Sequence, residues 1–506
     1  MKLPTTQLSK YLIVVLLSLI FFSFIQFTTD FGDPDAFYHA KIIKMMQRDP
    51  IVSEFPYTQF STLKDIYTDH HFFYHLTQLP LSYIFNPLMT VKVFNVLINT
   101  LFIFVFYWFL VKRKIPLRWL LLTIIFLSTP FIFRLSLIKA NALALIFLLI
   151  LIHFIFKSFE TKTWLNCFYV FMFSCFFVLS YGGWIIIWPI IFLLFISQLI
   201  SRQLNLKKTI GLTISLLLGL ILGIIIHPYF PNNLIFFKQQ IFDIGLINFQ
   251  DQINVGTEWY QTTFREMISS LRIILVFTII AFVLNVLNYK KTKTQTIFFF
   301  LVMLFFTFFT IKSRRYVEYL VPFAVLFIGQ SFKQNISLLT EFYSESKIYF
   351  FKIPYIIASI ILGTLLLVNI ILSYSFLWIN LNKFPFSFYQ SAGNFITTVI
   401  PNQSTVFHTA WDEWPALFYY TDNLYFIGGL DPTFSYLFNP DKHILWQDIA
   451  DGKIIKNIDQ IIPTEFNSNF IVASKRYYDL INQLQTYDNI SLIFEDQNSL
   501  VYVIKE

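Results

Sequence analysis

The chain alternates long apolar runs with short polar segments. A membrane-spanning helix needs about 20 mainly apolar residues. Runs of this kind lie near residues 11–27, 90–111, 117–133, 140–156, 164–180, 184–200, 209–226, 267–288, 295–311, 316–332 and 354–376. The pattern predicts a mainly α-helical protein, a polytopic membrane helix bundle of about eleven spans.

The polar segments alternate in charge, which predicts an orientation. Cytoplasmic loops of membrane proteins are enriched in Lys and Arg. One set of segments is basic and contains Lys2, Lys10, Lys112, Arg113, Lys114, Arg118, Lys157, Lys162, Arg202, Lys207, Lys208, Lys290, Lys291, Lys293, Lys333, Lys347 and Lys352. The other set comprises 28–89, 134–139, 181–183, 227–266 and the part after 376. We therefore expect a cytoplasmic N-terminus and an extracytoplasmic C-terminal part.

Composition supports a membrane protein. Hydrophobic residues make up 56% of the 506 residues and charged residues only 13%, whereas soluble domains are about 25% charged. A soluble enzyme, a disordered scaffold and a disulfide-rich secreted module are therefore excluded. The net charge of +8 is uneven, because residues 1–375 contain 30 Lys and Arg against 15 Asp and Glu, and residues 376–506 contain 7 against 14. The basic residues form no patch, so we expect no nucleic-acid partner.

The pattern changes after residue 376. Short β-rich runs at 404–408, 424–427, 470–473, 490–494 and 500–504 alternate with helical stretches at 386–400 and 475–486. Such alternation is typical of a partly parallel sheet with helices packed on it. We therefore predict a transmembrane domain, residues 1–376, and an extracytoplasmic α/β domain, residues 377–506.

The first external loop, residues 28–89, concentrates the residues that could carry chemistry. It contains four of the eight histidines and seven of the fifteen acidic residues found before residue 376. Asp33-Pro34-Asp35 predicts a helix start, because Asp is a favoured N-cap and Pro a favoured first residue. Asp35 and His39 then lie one turn apart on one helix face.

Two carboxylates separated by one residue can share a divalent cation or divide the roles of base and metal ligand. The structural alternative is that Asp33 only caps the helix and Asp35 only complements its dipole. This local pattern leaves both possibilities open.

A second cluster in the same loop is Asp69-His70-His71, with His75 one turn further along. The spacing of His71 and His75 lets two imidazoles reach one ligand on a helix. Alternatively, the histidines anchor an amphipathic helix at the membrane surface and Asp69 caps it. A divalent cation, Mg²⁺ or Mn²⁺, is a candidate cofactor, and its candidate ligands are Asp35, His39, His70 and His71.

Basic residues also occur on the predicted outer side, against the general trend. The turn before the tenth run contains Arg314, Arg315 and Tyr316. Cations at this position indicate a local anionic partner, and a lipid phosphate held by the paired donors of Arg is the obvious candidate. The alternative is a salt bridge such as Arg315 with Glu318.

These motifs resemble the GT-C superfamily of membrane glycosyltransferases, which use polyprenyl-phosphate-linked sugars. Within it, the chain is most similar to the catalytic subunit of oligosaccharyltransferase and its bacterial and archaeal relatives. Gly32-Asp33-Pro34-Asp35-Ala36-Phe37-Tyr38-His39 is similar to the first Asp-containing motif of that family. The run from Arg314 to Pro322 resembles its Arg-aromatic-x-x-Tyr-x-x-Pro run near the lipid phosphate. Trp411-Asp412-Glu413-Trp414 is similar to its acceptor motif, and Thr257-Glu258 to its external-loop acid.

The resemblance implies an integral enzyme of a bacterial or archaeal plasma membrane, surrounded by membrane lipids, with its active site outside. It implies inverting transfer of a sugar or oligosaccharide from a polyprenyl-phosphate carrier to an unknown extracytoplasmic acceptor. With the residue-based arguments, the candidate catalytic residues are Asp33, Asp35, Asp69 and Glu258. The candidate phosphate-binding residues are Arg314, Arg315 and Tyr316, and the candidate acceptor-side residues are Trp411, Asp412 and Glu413.

Two other functions remain open at this point. The chain could be a transporter or flippase for lipid-linked saccharides, or a non-catalytic polysaccharide-assembly protein. Transporters place ionisable groups near the bilayer midplane, whereas the centres of the predicted spans are nearly free of charge. The enzyme hypothesis requires Asp35, Asp69 and Arg315 to lie within about 15–20 Å of one another.

Overall fold

The computed structural model describes residues 5–161, 164–337, 352–454 and 456–505. Lys2, Lys162 and Lys347, used in the orientation argument, lie outside this described part. The protein is mainly helical, as predicted. The longer helices are Thr5–Ile25, Pro87–Lys112, Asn141–Glu160, Leu165–Ser180, Ile187–Ile200, Leu206–Ile225, Phe264–Leu287, Thr294–Lys312, Val317–Gln334 and Lys352–Leu381.

Six helices of the described residues are long and apolar enough to cross a membrane, and a bent pair of shorter helices gives up to seven. Leu165–Ser180 and Trp184–Ile200 are apolar but shorter. The number is below eleven partly because Leu165–Ser180 and Ile187–Ile200 have only 16 and 14 residues, and because Val317–Gln334 contains the charged residues Glu318 and Lys333. The eleven-span count and the orientation of the chain stay predictions.

The bent pair lies in the third apolar run, which is not one straight helix. It consists of Arg118–Phe126 and Thr129–Ser136, bent by 72°. Pro130 stands at the start of the second helix. Proline has no backbone N–H group to donate to the first helix, and it disfavours helical backbone in the preceding residue, so the first helix ends before it. The second helix packs against Val317–Gln334.

Short helices cover one end of the bundle. The helix predicted after Asp33-Pro34 begins at Asp35, and the Asp33 Oδ1 accepts a hydrogen bond from the Asp35 amide at 2.9 Å. Asp33 therefore caps this helix, as the structural alternative states. The short helices before the last long one are Asp35–Met46, Leu63–Ile66, Phe72–Ser82 and Asn232–Lys238, with tighter or wider turns at Trp184–Ile186, Gln239–Ile247, Thr257–Trp259, Tyr289–Lys291 and Arg314–Tyr316.

The strands of the described part form a two-stranded and a five-stranded sheet. They are β1 Asp30–Phe31, β2 Phe384–Pro385, β3 Thr405–His408, β4 Tyr425–Phe426, β5 Phe470–Ser474, β6 Ile490–Glu495 and β7 Ser499–Ile504. In the larger sheet, ordered β4-β3-β5-β7-β6, β3 pairs in parallel with β4 and β5, whereas β7 is antiparallel to β5 and β6. Each of the five β-rich runs contains a strand, so the predicted partly parallel sheet is confirmed.

Helices flank this sheet, at Gln390–Val399, Trp414–Tyr420, Pro432–Phe438, Pro440–Ala450, Ile458–Phe466 and Tyr478–Leu484. The first loop is joined to this region by backbone pairing, because β1 is antiparallel to β2 and Thr58 forms a parallel bridge with Phe426 of β4. The buried Lys41 ammonium lies 2.7 Å from the Asp422 carboxylate. Residues 28–89 and the C-terminal sheet therefore form one continuous layer over the helix ends.

Candidate active site

Two adjoining cavities lie between this layer and the helix bundle. The smaller, of about 130 Å³, is lined by Asp35, His39, Glu258 and Asp431 among others. The larger, of about 290 Å³, is lined mainly by apolar side chains. The residues that line both cavities are His70, His71, Lys139, Gln240, Trp259 and Arg315. The site therefore has a polar end and an apolar end that meet at Lys139 and Arg315.

Lys139 is the centre of the polar end. It lies in the turn between the helices Thr129–Ser136 and Asn141–Glu160. Its ammonium is 3.0 Å from the Asp33 Oδ2, 2.9 Å from the Asp35 Oδ2 and 3.4 Å from the Glu258 Oε2. The side chain is 16% exposed. Carboxylates from two distant parts of the sequence, Asp33 with Asp35 and Glu258, thus share one cation.

A second cation, Arg134, continues this network towards the bundle. Its guanidinium pairs with Glu258 and lies 3.0 Å from the Glu318 Oε2. Glu318 is buried, and it also accepts hydrogen bonds from Asn141 at 3.2 Å and from the Tyr181 hydroxyl at 3.3 Å. The interior charges are therefore paired, which a low-dielectric environment requires.

The two arginines that the sequence singled out have different surroundings. The Arg315 Nη1 lies 3.6 Å from the Glu258 Oε1, and its guanidinium stacks on Trp259 with 4.3 Å to the ring centroid. Arg314 instead pairs with Glu266 at 3.2 Å, and both side chains are about half exposed. The structure brings Arg315 to the cavities but not Arg314, and Tyr316 lines the apolar one.

The carboxylates of the polar end differ in their proton affinity. Burial, followed by the neighbouring Asp33 carboxylate, raises the pKa of Asp35 to about 6, although Lys139 opposes this. Burial alone would also raise the pKa of Glu258, but Arg134, Lys139 and Arg315 hold it well below its usual value. Asp35 can therefore take up a proton near neutral pH, whereas Glu258 stays ionised.

The histidines of the first loop form a buried chain beside the cavity. The His39 Nδ1 lies 2.7 Å from the His75 Nε2, and the His75 Nδ1 lies 2.7 Å from the Asp69 Oδ2. Asp69 also accepts a hydrogen bond from the His71 amide at 3.1 Å. Asp69 does not itself line the cavity; its carboxylate is connected to it through His75 and His39 and through the backbone of His71. Asp69 thus supports the helix start, as the structural alternative states, whereas His71 and His75 contact different partners rather than one ligand.

His70 and His71 reach the cavities directly. His71 contacts the backbone carbonyl of Ser180 through its Nδ1 at 3.2 Å. His70 stacks on Phe236 with 4.9 Å between ring centroids. Its buried Nδ1 has no hydrogen-bond partner within the described part of the chain, so it is able to bond to a molecule in the cavity.

The expected divalent-cation ligands do not fit a metal. Among the described residues, no group of three or more His, Cys, Asp or Glu side chains is arranged to hold a metal ion. Asp35 faces the ammonium of Lys139 and His39 faces His75, so these candidate ligands are turned to protein partners. No catalytic step is therefore derived through a metal.

The predicted acceptor-side residues do not line either cavity. Asp412 forms a two-pronged ion pair with Arg476, and the buried Glu413 accepts a hydrogen bond from the Tyr389 hydroxyl at 2.7 Å. The Trp411 ring lies beside Gly256, in the loop that carries Glu258. The three side chains therefore face the C-terminal layer and the adjoining loop.

Sequence reasoning missed Arg134 and Lys139, and it considered Glu318 only as a salt-bridge partner of Arg315. It also missed Asp431, whose pKa burial raises and whose side chain lines the polar cavity. A signal was present for the two cations, because both lie in a segment predicted to be on the outer side, where basic residues are scarce. The same scarcity of basic residues on the outer side points to Arg314 and Arg315.

Known proteins share this fold but not this sequence. No protein-family model matches the chain, and no curated protein matches it at a significant level. The archaeal oligosaccharyltransferase AglB from Archaeoglobus fulgidus, in complex with an inhibitory peptide and a dolichol-phosphate, has a TM-score of 0.59 and 11% identity, over 99% of this chain and 75% of AglB. ArnT from Cupriavidus metallidurans, bound to undecaprenyl phosphate, has a TM-score of 0.57 and 12% identity, over 99% and 98%.

A third similar structure is the arabinofuranosyltransferase AftD from mycobacteria, with a TM-score of 0.59 and 10% identity, over 98% of this chain and 40% of AftD. All three are GT-C glycosyltransferases. The chain therefore shares the fold of these three proteins, and the resemblance seen in its motifs is confirmed at the level of the fold alone. Its apolar helices agree with an integral membrane protein.

Proposed function

We propose that the protein transfers a sugar or oligosaccharide from a polyprenyl-phosphate carrier to an acceptor, in the polar cavity beneath the C-terminal layer. One observation carries this proposal: the GT-C fold here contains a cavity whose polar end holds Asp35 and Arg315 and whose other end is apolar. A flippase does not need a proton acceptor such as Asp35 in the same cavity as a cation such as Arg315.

The apolar cavity fits the carrier. Its lining includes Ile185, Trp188, Phe242, Leu246 and Phe309. An isoprenoid chain buries apolar surface against such side chains, while its phosphate is attracted to Arg315 at the junction. AglB and ArnT were solved with dolichol-phosphate and undecaprenyl phosphate, respectively, and this supports a carrier of the same class.

The chemical step needs a base and a group that stabilises the leaving phosphate. The acceptor nucleophile attacks the anomeric carbon from the face opposite the phosphate, which inverts the configuration. Its proton passes to the Asp35 carboxylate, and the electron pair of the broken carbon–oxygen bond remains on the phosphate. Arg315 stabilises that negative charge.

Asp35 is the better base of the polar end. Its raised pKa lies nearer the working pH than that of an ordinary aspartate, which favours proton uptake. Glu258 is held ionised by Arg134, Lys139 and Arg315, so its task is to position these cations. Asp69 contacts His75 rather than the cavity, and it acts through that histidine.

The charge pattern of the loops supports a reaction on the extracytoplasmic side of the membrane, and the family resemblance supports a bacterial or archaeal plasma membrane. The loop 28–89 and the C-terminal layer then lie outside, where a carrier presents its sugar. The proposal includes Trp411 as a contact of the acceptor, because it lies beside the loop that leads to Glu258.

Two neighbouring arginines provide a matched test of the carrier-phosphate site. In Arg315→Ala, the purified protein should bind undecaprenyl phosphate about 10- to 100-fold more weakly, because a charge-assisted contact is lost. Arg314→Ala should bind it as the unchanged protein does, since Arg314 is exposed and paired with Glu266. Quenching of tryptophan fluorescence, with Trp259 under Arg315, measures the affinity. Equal weakening in both variants would contradict the assignment.

The pKa of Asp35 predicts the pH dependence of transfer. A base is active only when deprotonated, so the rate should fall as the pH is lowered through about 6, rather than near 4 as for an ordinary aspartate. Asp33→Asn removes a neighbouring negative charge that raises this pKa. The acidic limb should therefore move to lower pH in that variant. Initial rates with a radiolabelled polyprenyl-phosphate sugar, measured across the acidic pH range, give the acidic limb of the unchanged protein and of Asp33→Asn. If the limb lies at the same pH in both, Asp35 is not the group that causes it.

A further inference from the structure

The position of Lys139 suggests more than a structural ion pair. Its ammonium is surrounded by three carboxylates, two from the first loop and one from the loop before Phe264–Leu287. Two separate loops therefore converge on one positive charge. The side chain also lines both cavities, so this charge lies where the proposed reaction takes place.

Such a cluster of oxygen ligands is what a hard divalent cation prefers. Mg²⁺ binds carboxylate oxygens at about 2.0–2.1 Å and Ca²⁺ at about 2.3–2.6 Å. Here the oxygens lie 2.9, 3.0 and 3.4 Å from the Lys139 Nζ, close to the distances of charge-assisted hydrogen bonds. The ammonium, with three N–H donors, thus occupies the point that a metal ion would need.

We propose that the Lys139 ammonium takes the place of a divalent cation in this protein, so that the cluster of Asp33, Asp35 and Glu258 works without a bound metal. The inference deepens the proposed glycosyl transfer and rests on it for its catalytic part. It also explains why the carboxylates that the sequence suggests as metal ligands face a lysine.

The electrostatics of the cluster agree with this role. Three carboxylates around one point repel one another unless a cation lies between them. Burial alone would lower the pKa of Lys139. The neighbouring carboxylates of Asp33, Asp35 and Glu258 instead hold this pKa above its usual value. Lys139 therefore stays charged over the accessible pH range. It keeps the carboxylates in place and supplies positive charge next to the leaving phosphate.

A single substitution should convert the cluster into a metal site. In Lys139→Ala, the three carboxylates lose their cation, and we expect the full chain in detergent to bind one Mn²⁺ with a dissociation constant below about 1 mM. The unchanged protein should bind none at this strength, because Mn²⁺ would have to displace the ammonium. Electron paramagnetic resonance of free Mn²⁺ measures the bound fraction without any sugar substrate.

Two further variants locate the acquired site. Lys139→Ala combined with Asp35→Asn should lose the Mn²⁺ again, because one of the three carboxylates becomes neutral. Lys453→Ala is the matched control, since the Lys453 ammonium also lies 3.0 Å from two carboxylates but its side chain is 62% exposed. It should acquire no site of this strength. Stoichiometric Mn²⁺ binding by the unchanged protein that Asp35→Asn abolishes would overturn the proposal, and this result needs no Lys139 variant to fold.

Activity provides a second readout. With a radiolabelled polyprenyl-phosphate sugar, transfer by the unchanged protein should remain within about twofold after chelation by EDTA. Lys139→Ala should lose about 100-fold or more, as when one charge-stabilising donor is removed, and Mn²⁺ should restore part of this loss. Transfer that stops on chelation and returns with Mn²⁺ in the unchanged protein would refute the inference. If no donor gives transfer, the proposed function fails, while the Mn²⁺ measurements still decide the role of Lys139.

Discussion

Asp35→Asn should reduce transfer from a polyprenyl-phosphate sugar by about 10²- to 10⁴-fold, the usual contribution of a general base. Asparagine has nearly the same size but cannot take up the acceptor proton. Asp33 still accepts the hydrogen bond from the amide of residue 35, since that contact involves the backbone. The fold should therefore persist while the reaction stops.

The assay follows release of radiolabelled sugar from the carrier into a membrane-extract acceptor pool. Asp65→Asn is a suitable control, because Asp65 belongs to the same loop but is exposed and lines neither cavity. It should keep the full rate. Rates for Asp35→Asn within tenfold of the unchanged protein would show that another group accepts the proton.

Glu318→Ala should produce the largest loss of stability. The Glu318 side chain is 1% exposed and pairs with the buried Arg134 at 3.0 Å. Breaking a buried ion pair typically costs about 3–5 kcal/mol, and Glu318→Ala should lose part of this amount, because Arg134 keeps Glu258 as its remaining partner. The hydrogen bonds from Asn141 and Tyr181 are lost as well. We therefore expect a clearly lower temperature of thermal unfolding in detergent.

Glu266→Ala provides the comparison for this variant. Glu266 also pairs with an arginine, Arg314, but both side chains are about half exposed, and water screens such pairs. Its unfolding temperature should fall much less than that of Glu318→Ala, because only this screened pair and the hydrogen bond from the Thr263 amide at an exposed helix start are lost. Equal unfolding temperatures for Glu318→Ala and Glu266→Ala would mean that the interior network contributes no net stability. Double substitution of Arg134 and Glu318 by apolar residues should recover part of the loss, because no unpaired charge remains.

Local signals in the sequence predicted local structure well. The helix start near Asp33-Pro34 and the five strand-containing runs were all visible, because capping preferences and β-rich runs between turn residues depend on neighbouring residues. The third apolar run was less well predicted, since hydropathy does not register the break that Pro130 causes. Most of the other runs match a helix that extends a few residues beyond them, as Pro87–Lys112 does for the run 90–111.

The candidate site was only partly predictable, because it is built from distant segments. Asp35 and Arg315 were found from their own local patterns, and the structure places them around one cavity. Their connection through Lys139 and Glu258 depends on tertiary contacts that no local pattern contains. The Trp411 motif was found in the sequence but does not line the cavities. Its acidic residues, Asp412 and Glu413, pair with Arg476 and Tyr389, because a short motif does not specify the direction of its side chains.

The pairing of β1 with β2 constrains the order in which the protein is assembled. Residues 30–31 leave the ribosome early, but their partners at 384–385 follow only after the last long helix. Chains grow at about 5–20 residues per second. The backbone of β1 therefore lacks its partner strand for tens of seconds. The C-terminal layer therefore covers the cavity only at the end of synthesis. Until then, the carboxylates and histidines of the nascent chain are exposed.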